Sequence, residues 1–218
     1  MTAENNKIYL YPLWLRIWHG INAIGIILLI LTGIRLQYSE LSLMAMDFKL
    51  AVQLHNIFGI IVTLNYFIFF VGNLITPNKK YYRIKPKGLV KRLTKQVNYY
   101  ISGLFKGEES PFPISEKRKF NPLQKYAYIF VMYVFVPVAI VTGVALLFPE
   151  LIIEKVYSVS GVFLTAILHG SVGFLISIFL LIHLYVASIG KNPLDNFRSI
   201  INGYHDVHPS EKGKEKSK

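Results

Sequence analysis

Residues 162–189 read VFLTAILHGSVGFLISIFLLIHLYVASI. The stretch carries no Asp, Glu, Lys or Arg, and it exceeds the ~20 apolar residues that carry a helix across a bilayer. Two histidines, His169 and His183, interrupt it. Three more apolar runs precede it: Leu13–Ile34, with Arg16 and His19 inside it, and the uncharged runs Leu50–Ile75 and Tyr126–Phe148. Arg16 and His19 fall where a signal peptide would have its apolar core, and no small-residue cleavage site follows, so the first run reads as a retained helix. The expectation is an all-α membrane protein, a four-transmembrane-helix bundle with helices at about 13–35, 50–75, 123–148 and 162–190. Pro137 is expected to kink the third helix.

Composition agrees. Hydrophobic residues make up 53% of the 218 and charged residues 17%, against the ~25% charged of a soluble domain. Mean hydropathy is +0.41. The chain has no Cys, which excludes disulfides, thiolate metal sites, cysteine-held iron–sulfur clusters and covalently attached c-type haem.

The net charge is +12, from 24 Lys and Arg against 12 Asp and Glu, and its placement is asymmetric. The connection 76–122 holds twelve basic and three acidic residues, and the chain from Lys191 onward adds six more basic ones. The other two connections offer only Arg35, Lys49 and Lys155, against Glu40, Asp47, Glu150 and Glu154. Basic loops stay in the cytoplasm, so the N-terminus, the middle connection and the C-terminus are expected there. Topology thus accounts for the charge, and no nucleic acid is expected as a partner. Within the middle connection, Leu89, Leu93, Val97, Tyr100, Ile101 and Leu104 make a helical stripe opposite Lys91, Arg92, Lys95 and Gln96. The expected amphipathic helix, about 89–105, lies on the inner leaflet or binds a partner. Residues 207–218 read as a disordered basic tail.

Four of the six histidines lie inside the spans, where an ionisable side chain is costly and faces the bundle interior. His169 and His183 are just under four helical turns apart, on nearly one face and ~21 Å apart along the axis. With the N-terminus inside, His19 lies ~9 Å from the inner end of its helix and His183 ~9 Å from the same side. His55 lies ~8 Å and His169 ~10 Å from the outer side. Two layers result: His19 with His183 inside, His55 with His169 outside. A facing pair of imidazoles is what a six-coordinate b-type haem requires. Zinc would need further ligands at one depth, and neither layer offers a carboxylate or thiolate. Gly20, Gly59 and Gly170, with Gly25 and Gly173, would let a flat macrocycle approach the helices; ordinary close helix packing accounts for them equally. Arg16 and Arg35 either pair with haem propionates or snorkel to the headgroups. His205 and His208 read as solvated.

The residues resemble a known family. RIWHGINAIGIILLILTGIRLQY (16–38), QLHNIFG (53–59), KFNPLQKYAY (119–128) and LHG followed twelve residues later by HLY (168–185) resemble the four-helix di-haem cytochrome b subunits of nickel–iron hydrogenase, formate dehydrogenase and thiosulfate reductase. The resemblance runs from Tyr11 to about Asp206. It implies two haem b groups with the same pairing of ligands, in a bacterial cytoplasmic membrane. It implies electron transfer between an outer-face redox subunit, either an iron–sulfur dehydrogenase or reductase subunit or a multihaem cytochrome c, and menaquinone or ubiquinone near the inner haem. Substrate chemistry would then belong to the partner subunit. Asn121 stands where that family's formate dehydrogenase member places a quinone-site Asn; an Asn-Pro helix start accounts for it too. Competing expectations are a haem-free membrane anchor and a histidine-relay transporter.

Overall fold

The computed structural model describes residues 7–38, 46–189 and 192–206. Among the described residues the fold is all-α apart from two small strand pairs, and four helices are long and apolar enough to cross a membrane. In order these are α1 (Leu13–Gln37), α2 (Phe48–Ile75), the third span Pro122–Leu147 and α6 (Gly161–Ala187). The third span is built of α4 (Pro122–Phe130), a π-helical turn (Val131–Phe135) and α5 (Val136–Leu147). Pro137, in the first turn of α5, has no N–H to give the preceding turn. The chain absorbs that loss in the wider π turn, which brings Phe130 and Phe135, five residues apart, into ring contact at 4.7 Å.

The helix starts follow capping chemistry. The Asp47 carboxylate accepts from Leu50 N at 3.3 Å to open α2, and Ser160 Oγ accepts from Phe163 N at 3.4 Å to open α6. At α4, Asn121 Oδ1 accepts from Gln124 N at 2.9 Å while Gln124 Oε1 accepts from Asn121 N at 3.1 Å, a reciprocal capping box.

Contacts divide the chain into two units. One joins Ile17–Val71 with Phe130–Tyr185, and its buried side chains are mostly apolar: Trp18, Val62, Phe69, Val131, Met132, Val136, Val172 and Ile176. Val172 and Ile176 share the face of α6 that bears His169 and His183 and fill the stretch between them. Gly25 lies so close to α2 that a Cβ there would strike Val62.

The other unit joins the described parts of Met1–Arg16, Gly72–Ile129 and Val186–Lys218, and its buried side chains are mostly polar: Asn73, Asn78, Gln96, Lys119, Asn121, Ser199 and His205. It holds a 3-10 helix (Pro77–Tyr82), α3 (Leu89–Asn98) with a π turn (Tyr99–Gly103), and α7 (Asp195–Asn202). Along α3 and its π turn, Leu89, Leu93, Val97, Tyr100 and Leu104 are half-buried, so this part of the expected stripe packs against the protein. Ile101 departs from it, 69% exposed, with Phe105 at 78%. Strand β1 (Lys7–Tyr9) pairs antiparallel with β4 (Tyr204–Asp206), which puts both ends of the described chain on one side of the membrane, as an even number of spans requires. Gly203 makes this possible. Its φ of +91° ends α7, and a Cβ there would meet the Tyr9 ring at 2.8 Å and Tyr11 O at 2.9 Å. The hairpin β2 (Lys155–Val156) and β3 (Val159–Ser160) leads into α6, with Tyr157 fully exposed at its tip.

The expectation of a solvated His205 does not hold. Its ring is buried, 3.4 Å from Ser199 Oγ, because the segment after Gly203 turns back as a strand instead of trailing into solvent. His208 and the tail 207–218 lie outside the described residues.

Candidate functional site

The four intramembrane histidines meet in two pairs, all within the first unit. His19 and His183 have ring centres 6.2 Å apart with planes at 60°, and His55 and His169 are also 6.2 Å apart, with planes at 76°. Among the described residues no group of three or more His, Asp or Glu is placed to hold a bare metal ion. The donor sets are therefore paired imidazoles, and the spacing tests what fits between them. A metal–imidazole bond is about 2 Å and a ring nitrogen lies about 1.1 Å from the ring centre, so two axial imidazoles on one iron have centres about 6 Å apart. Both gaps match, and the residues fit a haem iron.

Hydrogen bonds fix the ring orientation in the His55–His169 pair. Thr32 Oγ1 lies 2.9 Å from His55 Nδ1 and 2.7 Å from Leu28 O. Thr142 Oγ1 repeats the arrangement, 2.9 Å from His169 Nδ1 and 2.7 Å from Val138 O. A hydroxyl has one hydrogen, and here the helix carbonyl four residues back takes it. The oxygen then accepts from the Nδ1–H of the imidazole. That assigns the proton to Nδ1 and leaves the Nε2 lone pair for a metal, the usual arrangement behind a ligating histidine. The residue after each Thr is Gly, and both approach the rings: a Cβ at Gly143 would stand 3.1 Å from His169 Cε1 and one at Gly33 3.5 Å from His55 Cε1.

Aromatic packing surrounds the His19–His183 pair. Phe179, one turn before His183, stacks on it at 6.0 Å with planes 10° apart, and Trp18 meets His19 edge-on at 6.4 Å. Trp18 is itself fixed: its Nε1 donates to Asn65 O at 2.9 Å, Asn65 Nδ2 donates back to Trp18 O at 3.0 Å, and Phe69 stacks on its ring at 4.5 Å.

The remaining expected site residues are placed as follows. A Cβ on Gly20 or Gly59 would meet nothing within 4 Å, and one on Gly170 only Gln37 Oε1 at 3.8 Å. These three positions are therefore open rather than in tight helix contact. Arg16 donates to Ile201 O, while its Nε is buried without a partner. Arg35 donates from Nε to Met46 O at 3.0 Å and lies over the Phe48 ring at 5.7 Å. Asn121 is 8% exposed and acts as the cap of α4. One of its two amide hydrogens goes to Tyr100 Oη at 2.7 Å. Sequence reading missed Thr32 and Thr142. Their signal was present as a Thr-Gly pair in each of two spans, LTGIRL and VTGVAL.

Comparison with known proteins identifies the family. The family profile described as prokaryotic cytochrome b561 matches residues 10–203. The protein named "Putative cytochrome YdhU" from Escherichia coli (strain K12) is 33% identical over 204 residues, covering 94% of this chain and 77% of its own. The chain belongs to the prokaryotic cytochrome b561 family of membrane electron-transfer cytochromes, which carry haem b.

Proposed function

We propose that the chain is a two-haem conduit across the bacterial cytoplasmic membrane, with one haem b between His19 and His183 and the other between His55 and His169. The observation that carries this reading is the occurrence of two imidazole pairs, each with the 6.2 Å spacing of an axial ligand set. Bound there, the two irons supply reversible one-electron couples. The protein's part would be to supply both imidazoles to each haem, so that substrate chemistry would fall to another subunit. Thr32 and Thr142 orient the outer imidazoles and raise their basicity. The buried Arg16 Nε, one turn before His19, suits a propionate of the inner haem.

The basic middle connection supports a cytoplasmic location for both termini. The His55–His169 layer then faces outward, toward a redox partner subunit of the iron–sulfur or multihaem type. Exposed Leu151, Ile153 and Tyr157 between the third span and α6 offer that partner an apolar surface. The inner layer exchanges electrons with menaquinone or ubiquinone. Asn121, whose second amide hydrogen is left after the bond to Tyr100, is the donor proposed for a quinone carbonyl.

Pyridine haemochrome analysis of the purified protein tests the reading. Two haems b per chain are expected. One haem per chain rejects the second layer, and a colourless protein returns the chain to a haem-free anchor or a histidine relay.

A further inference from the structure

A cavity of about 280 Å³ lies in the polar unit, where the third span begins. Its walls come from the 3-10 helix, α3, the segment 117–120 and the first turn of α4. Seven of its twelve lining residues are Lys or Arg, and none is acidic.

Three of these cations, Lys119, Lys80 and Arg92, make contacts with neutral groups. Lys119, only 3% exposed, donates to Asn78 Oδ1 at 3.0 Å and lies over the rings of Tyr11 at 5.0 Å and Tyr81 at 4.7 Å. Lys80 lies over the Tyr81 ring at 4.9 Å, and Arg92 donates to Lys85 O and Lys87 O. Carbonyls and ring faces solvate a cation but leave its charge uncancelled, and burial makes that costly. Burial first, and Lys80 second, bring the Lys119 pKa down to about 8. Low-dielectric walls concentrate such a field inside the cavity, and the α4 N-terminus adds its positive dipole end.

We propose that this cavity binds a phosphate-bearing anion, supplied by the headgroup of an anionic phospholipid. The charge calls for a compact anion, and the volume holds a headgroup phosphate. Position decides the source. Pro122, Lys125 and Tyr126 line the cavity from the first turn of a membrane-crossing helix, so the phosphate sits at headgroup level. The apolar rings of Phe112 and Phe120 complete the lining with surface suited to the start of the acyl chains. Basic pockets at this depth recognise anionic headgroups by the same physics.

The test uses the full chain in nanodiscs of phosphatidylcholine, alone or with phosphatidylglycerol. Native mass spectrometry counts the lipid that stays bound. About one phosphatidylglycerol per chain is expected in preference to phosphatidylcholine. Lys80→Gln with Lys85→Gln should weaken its binding by roughly 20- to 30-fold, near fivefold for each cation. Circular dichroism and the visible spectrum should stay unchanged in that variant, which separates lost binding from lost folding. A parallel titration with inorganic phosphate, in discs with and without phosphatidylglycerol, distinguishes the sources. Weak competition with phosphatidylglycerol supports the proposal; tight phosphate binding with no lipid preference overturns the lipid source. Equal phosphatidylglycerol retention in wild type and variant overturns the site itself.

Discussion

The two histidine pairs have the same 6.2 Å separation but are held by different chemistry. Hydroxyls hold His55 and His169 through Nδ1, each hydroxyl fixed by its own helix. His183 has the Phe179 ring stacked on it and His19 meets the edge of Trp18. A hydrogen bond sets tautomer, direction and basicity together. A ring stack sets orientation and excludes water, with little influence on where the proton sits. Residue type and gap are therefore common to both pairs, while under the proposed two-haem reading the surroundings of each iron would be set separately. Second-contact chemistry is one of the levers by which a protein tunes a haem potential, so on the proposed reading the two couples would be unequal.

The largest expected effect tests whether the pairs are units at all. His55→Ala and His169→Ala should each remove the same haem, and His19→Ala and His183→Ala the other, halving the haemochrome yield in all four variants. If His169→Ala and His19→Ala remove the same haem, the pairing is wrong. Next come the hydroxyls. Thr32→Val or Thr142→Val leaves an Nδ1–H buried without an acceptor, a cost of about 1–3 kcal/mol. Affinity at that layer should fall roughly 10- to 100-fold. The remaining outer haem should titrate at a higher potential, because a less basic imidazole stabilises the ferric state less. Thr→Ser should restore both, and the inner couple should not move. A shift of both couples would mean that the hydroxyls act through general packing.

A smaller effect is expected at Phe179. Phe179→Leu removes a stack of about 0.5–1.5 kcal/mol and should loosen the inner layer alone, visible as broader inner-haem bands with unchanged outer ones. The finest test concerns Asn121. Asn121→Asp keeps the oxygen that caps α4 and removes the amide hydrogens. Asn121→Leu also loses the cap, at about 1 kcal/mol. Reoxidation of chemically reduced protein by added quinone should slow in both variants. If only Asn121→Leu slows it, Asn121 acts as a cap and the quinone docks elsewhere.

The spans were legible because twenty apolar residues in a row leave a chain few alternatives, and the histidine pairs because helical rise converts position into depth. The Thr–His bonds were not legible. A threonine in an apolar run reads as neutral, and its partner lies on another helix, 23 residues away for Thr32 and 27 for Thr142. Lys119 stands in the run EKRK, where a lysine reads as solvated, yet it is buried, 3% exposed. His205 misled for the converse reason: a polar, Gly-containing neighbourhood reads as a trailing end unless the partner strand, nearly two hundred residues earlier, is known. The π turn ahead of Pro137 has no sequence signal beyond the proline itself.

That last strand pair bears on biogenesis. Lys7 pairs with Asp206, and Tyr9 with Tyr204. The β1 segment leaves the ribosome early, yet it has no partner until all four spans have been delivered to the bilayer. A contact of such sequence separation closes late, because the loop entropy must be met first. The pair can therefore form only after the chain between its two halves has been made. Until it forms, the backbone groups of β1 lack the partners that β4 supplies. A chain ending before Tyr204 should be cleared from cells faster than the full chain even if its four helices insert normally, and pulse-chase turnover of the two would measure the difference.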